Sequence, residues 1–173
     1  MVHWKARRTS RESAAAAFAG ERDAILTIVG RTPADQLSVP VLIKRLQGLE
    51  DSSRDWSVLM TLDHLRIVNQ EISGVIASLC AGQVPERVAS TAAVKPSAAV
   101  DASVIPAFEA TCRDFEMIVA SMRDLKTPIK FPHPWFGPLD AASWHFMSSF
   151  HMRLHRKQIE HILAGLPKNG IIP

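Results

Sequence analysis

The sequence predicts an all-α protein, a single domain over residues 1–173 that forms a four-helix bundle with a long crossover connection. Four long segments carry apolar residues at helical spacing, and no segment shows a convincing strand pattern. Residues 82–102, between the second and third segments, are rich in Ala, Ser, Val and Pro and lack a firm period. Four amphipathic helices with one long connection are typical of a bundle.

The first helix is expected over residues 10–29, with Ser10 or Thr9 as the N-cap and Gly30 near its end. Residues 1–9 contain several basic side chains and are expected to form a solvated tail. Residues 39–49 carry apolar side chains at helical spacing, which predicts one extra short helix.

The second long helix is expected over residues 56–80 and the third over residues 103–124. A loop dense in proline and aromatic residues follows at residues 128–138. The fourth helix is expected to begin at Asp140, a suitable N-cap, and to end near Gly165.

Composition excludes several classes of function. The net charge of +3 is too small to indicate a nucleic-acid partner, and no apolar stretch reaches membrane-spanning length. Cys80 and Cys112 are far apart and form no CxxC pair, so a disulfide framework is not indicated. These observations favour a soluble protein of the reducing cytoplasm.

Two histidines of the fourth helix, His151 and His155, are four residues apart on its apolar face. Side chains at this spacing project side by side, so two imidazole nitrogens could reach one metal ion. A satisfied core pair or an interface feature is the alternative, because a buried imidazole always needs a partner.

A third ligand has to come from another helix, and His64 on the apolar half of the second helix is the best candidate. Three neutral imidazoles suit zinc, nickel, iron or copper. Gln158, Asp63 and Ser148 are close enough in spacing to orient the imidazole rings.

The other histidines are weaker candidates. His133 lies in the proline-rich loop, where it could line a pocket or serve a structural role. His145 and His161 fall on the flanks of the fourth helix and are expected at the surface or at an interface. Arg153 and Arg156 are expected on the outward face of that helix, as solvated charges.

Residues 133–139 (HPWFGPL), Trp144 and residues 150–159 (FHMRLHRKQI) resemble the C-terminal signature of the DinB-like superfamily, of the DinB/YfiT type. In that family an HPxFG-type loop leads into a helix with the pattern H-x-x-x-H-x-x-Q. Trp56–Ser57 followed by Asp63–His64–Leu65 resembles the family's first histidine motif. The resemblance extends from about Leu49 to Leu166.

The resemblance implies a four-helix bundle, often dimeric, that binds a divalent metal ion through His64, His151 and His155. Many relatives carry paired histidines where this chain has Leu154–His155. The best-understood relatives use low-molecular-weight thiols in transfer or isomerisation reactions, and most others are described as metal-dependent hydrolases or stress-induced proteins. For this chain the resemblance implies zinc or nickel, with iron or manganese as further candidates, a small-molecule substrate, a thiol cofactor and a homodimer.

Three hypotheses stay open at this stage. The first is a metal-dependent transferase or hydrolase, in which the ion activates a thiol or a water molecule. The second is a non-catalytic metal-binding or stress-response bundle that acts as a dimeric binding module. The third is a metal-free dimerisation module, in which the histidines bond only to one another or to nearby side chains.

Overall fold

The computed structural model describes residues 9–86 and 90–167. Its helices are α1 (Arg11–Gly30), α2 (Ala34–Leu37), α3 (Val58–Cys80), α4 (Val104–Ser121) and α5 (Ala141–Gly165). Short 3₁₀ turns occur at Asp51–Ser53 and Ala92–Val94, and two short strands are β1 (Phe131–His133) and β2 (Gly137–Leu139). Apart from Thr9, the tail expected over residues 1–9 lies outside the described residues.

The four long helices form a bundle, as the sequence predicts. Helix α1 packs along α5, α5 along α3, and α3 along α4, and a smaller contact between α1 and α4 closes the bundle. Phe18 of α1 and Phe115 of α4 stack in the core with ring centroids 4.4 Å apart, and both side chains are fully buried. Burial of these apolar faces is the main favourable contribution to the fold.

Each long helix that carries candidate ligands begins at a side-chain N-cap. The hydroxyl of Ser57 accepts a hydrogen bond from the amide of Met60, so α3 begins two residues later than expected. The carboxylate of Asp140 accepts from the amide of Ser143 at 2.9 Å, which confirms the predicted cap of α5. Ser10 caps α1 in the same way, also as predicted.

The prediction of a helix over residues 39–49 is wrong. This segment is irregular and ends in a turn, and two of its amides bond to the chain that leads into α3. The amide of Ile43 donates to the carbonyl of Arg54 at 2.9 Å, and that of Val41 donates to the carbonyl of Trp56. Pro40 has no amide hydrogen and disfavours a helix at this point. The helical spacing of the apolar residues was therefore misleading.

The proline-rich loop contains a small antiparallel hairpin, which the sequence did not indicate. Phe131 pairs with Leu139, and both side chains are buried beside α5. Gly137 has a φ of 69°, a conformation that glycine adopts without strain. Three-residue strands interrupted by proline carry too little alternation to be recognised from sequence.

The crossover between α3 and α4 is held against α3 by a hydrogen bond. The carboxylate of Asp63 accepts a hydrogen bond from the amide of Ser97 at 3.0 Å and also pairs with Arg66. The turn Ala92–Val94 consequently lies against α3. This contact brings main-chain carbonyls of the crossover close to His64.

Helix α5 is also tied to α1 by charge. The buried carboxylate of Glu21 pairs with Arg153 at 2.9 Å and with Arg156 at 2.5 Å. Arg156 is only partly exposed and serves this helix contact, which corrects the expectation of a free solvated charge, whereas Arg153 also pairs with Glu21 but stays exposed, as expected. Within residues 9–86 and 90–167, no helix combines the length and apolar character that a bilayer crossing needs.

Candidate metal centre

The three histidines singled out from the sequence lie together in the middle of the bundle. His64 is in the second turn of α3, and His151 and His155 face it from adjacent turns of α5. Nε2 of His151 lies 3.3 Å from Nε2 of His64 and 3.1 Å from Nε2 of His155. All three can offer a ring nitrogen within 4.8 Å of the others.

In two of these rings, Nδ1, the nitrogen that faces away from the other histidines, forms a hydrogen bond with a carbonyl oxygen. Nδ1 of His64 is 2.7 Å from the carbonyl oxygen of Val94, and Nδ1 of His155 is 2.6 Å from Oε1 of Gln158. A carbonyl oxygen only accepts, so each Nδ1 must carry the hydrogen. Nε2 of both rings is then unprotonated and directs a lone pair toward His151.

Gln158 has an unambiguous orientation because its amide nitrogen donates to the carbonyl of Ser53 at 2.6 Å. Its oxygen is therefore the atom that faces His155. All three residues of this hydrogen-bonded series, Ser53, Gln158 and His155, are buried. It connects the segment before α3 to the candidate ligand on α5 and sets the tautomer of that ligand.

Neutral histidines alone cannot satisfy this arrangement. His151 has at most one hydrogen on Nε2, so it can donate to His64 or to His155 but not to both. Its Nδ1 is enclosed and has no hydrogen-bond partner among the described residues. A cation between the three Nε2 atoms would accept all three lone pairs at once.

The separations between nitrogens also fit a metal ion. Zinc–imidazole bonds of about 2.0–2.1 Å at tetrahedral angles place two ligand nitrogens about 3.3 Å apart. The Nε2 separations of His151 from His155 and from His64 are 3.1 and 3.3 Å, and the candidate ligand atoms of all three rings lie within 4.8 Å of one another. The residues present therefore fit a divalent ion held by three imidazoles.

Burial keeps the three rings neutral at neutral pH. Burial is the main cause that lowers the pKa of His64, against the Val94 carbonyl, which raises it. Burial, together with the neighbouring rings of His155, His64 and His133, holds the pKa of His151 well below its ordinary value. Burial and the nearby His64 likewise lower the pKa of His155, against Gln158. Neutral imidazoles are the form that binds metal ions.

Trp56 forms an aromatic wall beside the cluster. Its ring centroid is 5.1 Å from that of His64 and 6.3 Å from that of His155, nearly parallel to the latter. His151 as a whole is less buried than His64 and His155, although its Nδ1 is enclosed. Val94 and Ser53 could not be singled out from the sequence, because neither belongs to a ligand-type pattern, and Trp56 was noted only as part of the motif around His64.

The two further residues that sequence reasoning placed near the site differ in their surroundings. His133 is close enough to His151 to lower its pKa, and its own Nδ1 accepts the amide of Trp135 at 3.1 Å. The buried hydroxyl of Ser148 donates to the carbonyl of His145 at 2.6 Å, one turn back along α5. His133 thus lies beside the cluster, and Ser148 is occupied by the main chain.

The expectation that His145 lies at the surface is wrong. Its side chain is 2% exposed and faces α1 and α4, away from the three-histidine cluster. His161 is exposed, as expected. The flank of a helix is buried when a third helix packs over it, which a wheel of one helix alone does not show.

The sequence matches no protein-family model and no curated protein. Among solved structures, the crystal structure of TT2238, a four-helix bundle protein, is similar, with a TM-score of 0.65 and 22% sequence identity. The similarity covers 87% of this chain and 98% of that chain. At this identity it shows the fold alone, because one fold serves many functions.

Proposed function

We propose that this chain is a metal-dependent enzyme of the DinB-like superfamily, acting on a small molecule by thiol transfer or hydrolysis. The observation that carries the proposal is the convergence of the Nε2 atoms of His64, His151 and His155. Zinc or nickel is the proposed ion, since three neutral imidazoles suit both. A homodimer, a thiol cofactor and a cytoplasmic location stay predictions.

The ion would supply Lewis acidity, which lowers the pKa of a water molecule or a thiol. The protein's own part is to hold the ligands in one protonation state. Val94 and Gln158 fix the hydrogens of His64 and His155 on Nδ1. Trp56 packs beside the rings of His64 and His155.

A non-catalytic metal-binding bundle is the second candidate function. One observation favours it: neither of two cavities in the described part of the chain is lined by any of the three histidines. An enzyme needs space for its substrate next to the reacting group.

One experiment tests the proposal. Protein stripped of metal is reloaded with zinc or with nickel and assayed with a panel of low-molecular-weight thiols against electrophiles and esters. We expect turnover that requires the metal and that is lost in His64→Ala but kept in His161→Ala, a control at an exposed position. Stoichiometric metal binding without turnover on any substrate would instead support the binding module.

A further inference from the structure

A cavity lies apart from the three-histidine cluster, between the first half of α1, the end of α4 and the start of α5. Its volume is about 160 Å³. Its walls are mostly apolar and include Ala15, the stacked pair Phe18 and Phe115, and Val119. It shares no lining residue with the three-histidine cluster.

One polar side chain of this cavity has no hydrogen-bond partner among the described residues. His145 lines the cavity and is 98% buried, since its exposed fraction is 2%. Neither ring nitrogen forms a hydrogen bond with any described residue, and neither is among the fully enclosed, unpaired side-chain atoms of those residues. The ring of Phe115 lies nearby, with centroids 6.1 Å apart. A ligand hydroxyl would give this imidazole a hydrogen-bond partner inside a mostly apolar cavity, so such a ligand would be favoured over a purely apolar one.

The charges around the cavity balance one another. The guanidinium of Arg11 donates to the carbonyls of Val119 and Met122 at the end of α4. Glu116 pairs with Arg22 at 2.5 Å, and the carboxylate of Glu12 is exposed. A charged ligand would lie near both positive and negative side chains here, so the lining favours an uncharged ligand.

We propose that this cavity binds a small uncharged aromatic alcohol of the size of phenol. Its ring would pack on Phe18 and Phe115, and its hydroxyl would bond to His145. A cavity of about 150 Å³ is known to hold benzene, so the volume is sufficient for one ring. This inference is independent of the metal and of the proposed enzymatic activity.

The protonation state of His145 agrees with this ligand. Burial, and secondarily the charge of Arg11, lowers the pKa of His145 to about 4. The ring is then neutral at pH 7 and offers one donor and one acceptor, as a hydroxyl group does. A carboxylate ligand could use only the donor.

The test uses phenol and benzene as probes, titrated into the full-length protein by calorimetry or by protein NMR. We expect both to bind with one site per chain. His145→Leu should weaken phenol about tenfold, the usual effect of one hydrogen bond, and leave benzene nearly unchanged. His161→Leu, at an exposed position of the same helix, is the control and should change neither affinity.

A second pair of variants keeps the test decisive if His145→Leu folds poorly. Ala15→Phe fills the cavity from α1 and should abolish binding of both probes, whereas Ala16→Phe points outward and should not. Equal phenol affinity in wild type and His145→Leu, or failure of both probes to bind the wild type, would overturn the proposal.

Discussion

Nδ1 of His155 donates to Oε1 of Gln158 at 2.6 Å, and the amide nitrogen of Gln158 donates in turn to the carbonyl of Ser53. This relay leaves one tautomer for His155, with the Nε2 lone pair directed at His151. The geometry of the candidate ligand is therefore set by residues 105 positions apart in the chain.

His151→Ala should abolish stoichiometric metal binding, because His151 is the ring whose Nε2 contacts both other candidate ligands. Two remaining imidazoles from different helices would bind an ion much more weakly. Elemental analysis of freshly purified protein is the measurement, with His161→Ala as the matched exposed control. Full metal content in His151→Ala would refute the ligand assignment.

Gln158→Met should weaken metal binding about 10- to 100-fold, the usual cost of losing a partner that orients a histidine ligand. Methionine has a similar shape but cannot accept from His155 or donate to Ser53. Competition with a fluorescent chelator measures the affinity. Gln70→Met, at an exposed position of α3, should have no effect. An unchanged affinity in Gln158→Met would mean that the relay does not set the ligand geometry.

The free energy of unfolding of metal-free protein should fall as the pH falls below 6.5. Burial lowers the pKa of His145 from 6.5 to about 4, so the unfolded chain binds the proton first. This stability is complete above pH 6.5 and is lost between pH 6.5 and pH 4, at roughly 3 kcal/mol for the single group.

Urea titrations at several pH values, in the presence of a chelator, measure this dependence. Glutamine does not titrate, so the free energy of unfolding of His145→Gln should depend less steeply on pH than that of the wild type. The difference in slope should correspond to at most one proton taken up on unfolding. Parallel curves for wild type and His145→Gln would show that His145 is not neutralised by folding.

The fold should survive removal of the metal. The bundle has a large apolar core, with Phe18, Phe108, Phe115 and Leu62 all fully buried, and this apolar burial does not require a bound ion. Circular dichroism in chelator should show helicity close to that of metal-loaded protein, with a lower midpoint of thermal unfolding. A cooperative loss of helicity on chelation would contradict this expectation.

The sequence alone was enough to predict the four long helices, two of their caps and the three histidines that meet. These features depend on local spacing: apolar residues repeat with the period of the helix, Ser10 and Asp140 precede helices, and His151 and His155 are one turn apart. His64 could be singled out because it lies on the apolar half of its own helix.

Only the tertiary structure decided what surrounds these residues. The Val94 and Ser53 carbonyls that complete the cluster belong to residues of no special type, and they reach it because the chain folds back. The burial of His145 likewise depends on α1 and α4 packing over α5. Contacts between segments distant in sequence leave no period in either segment, so no local pattern could have revealed them.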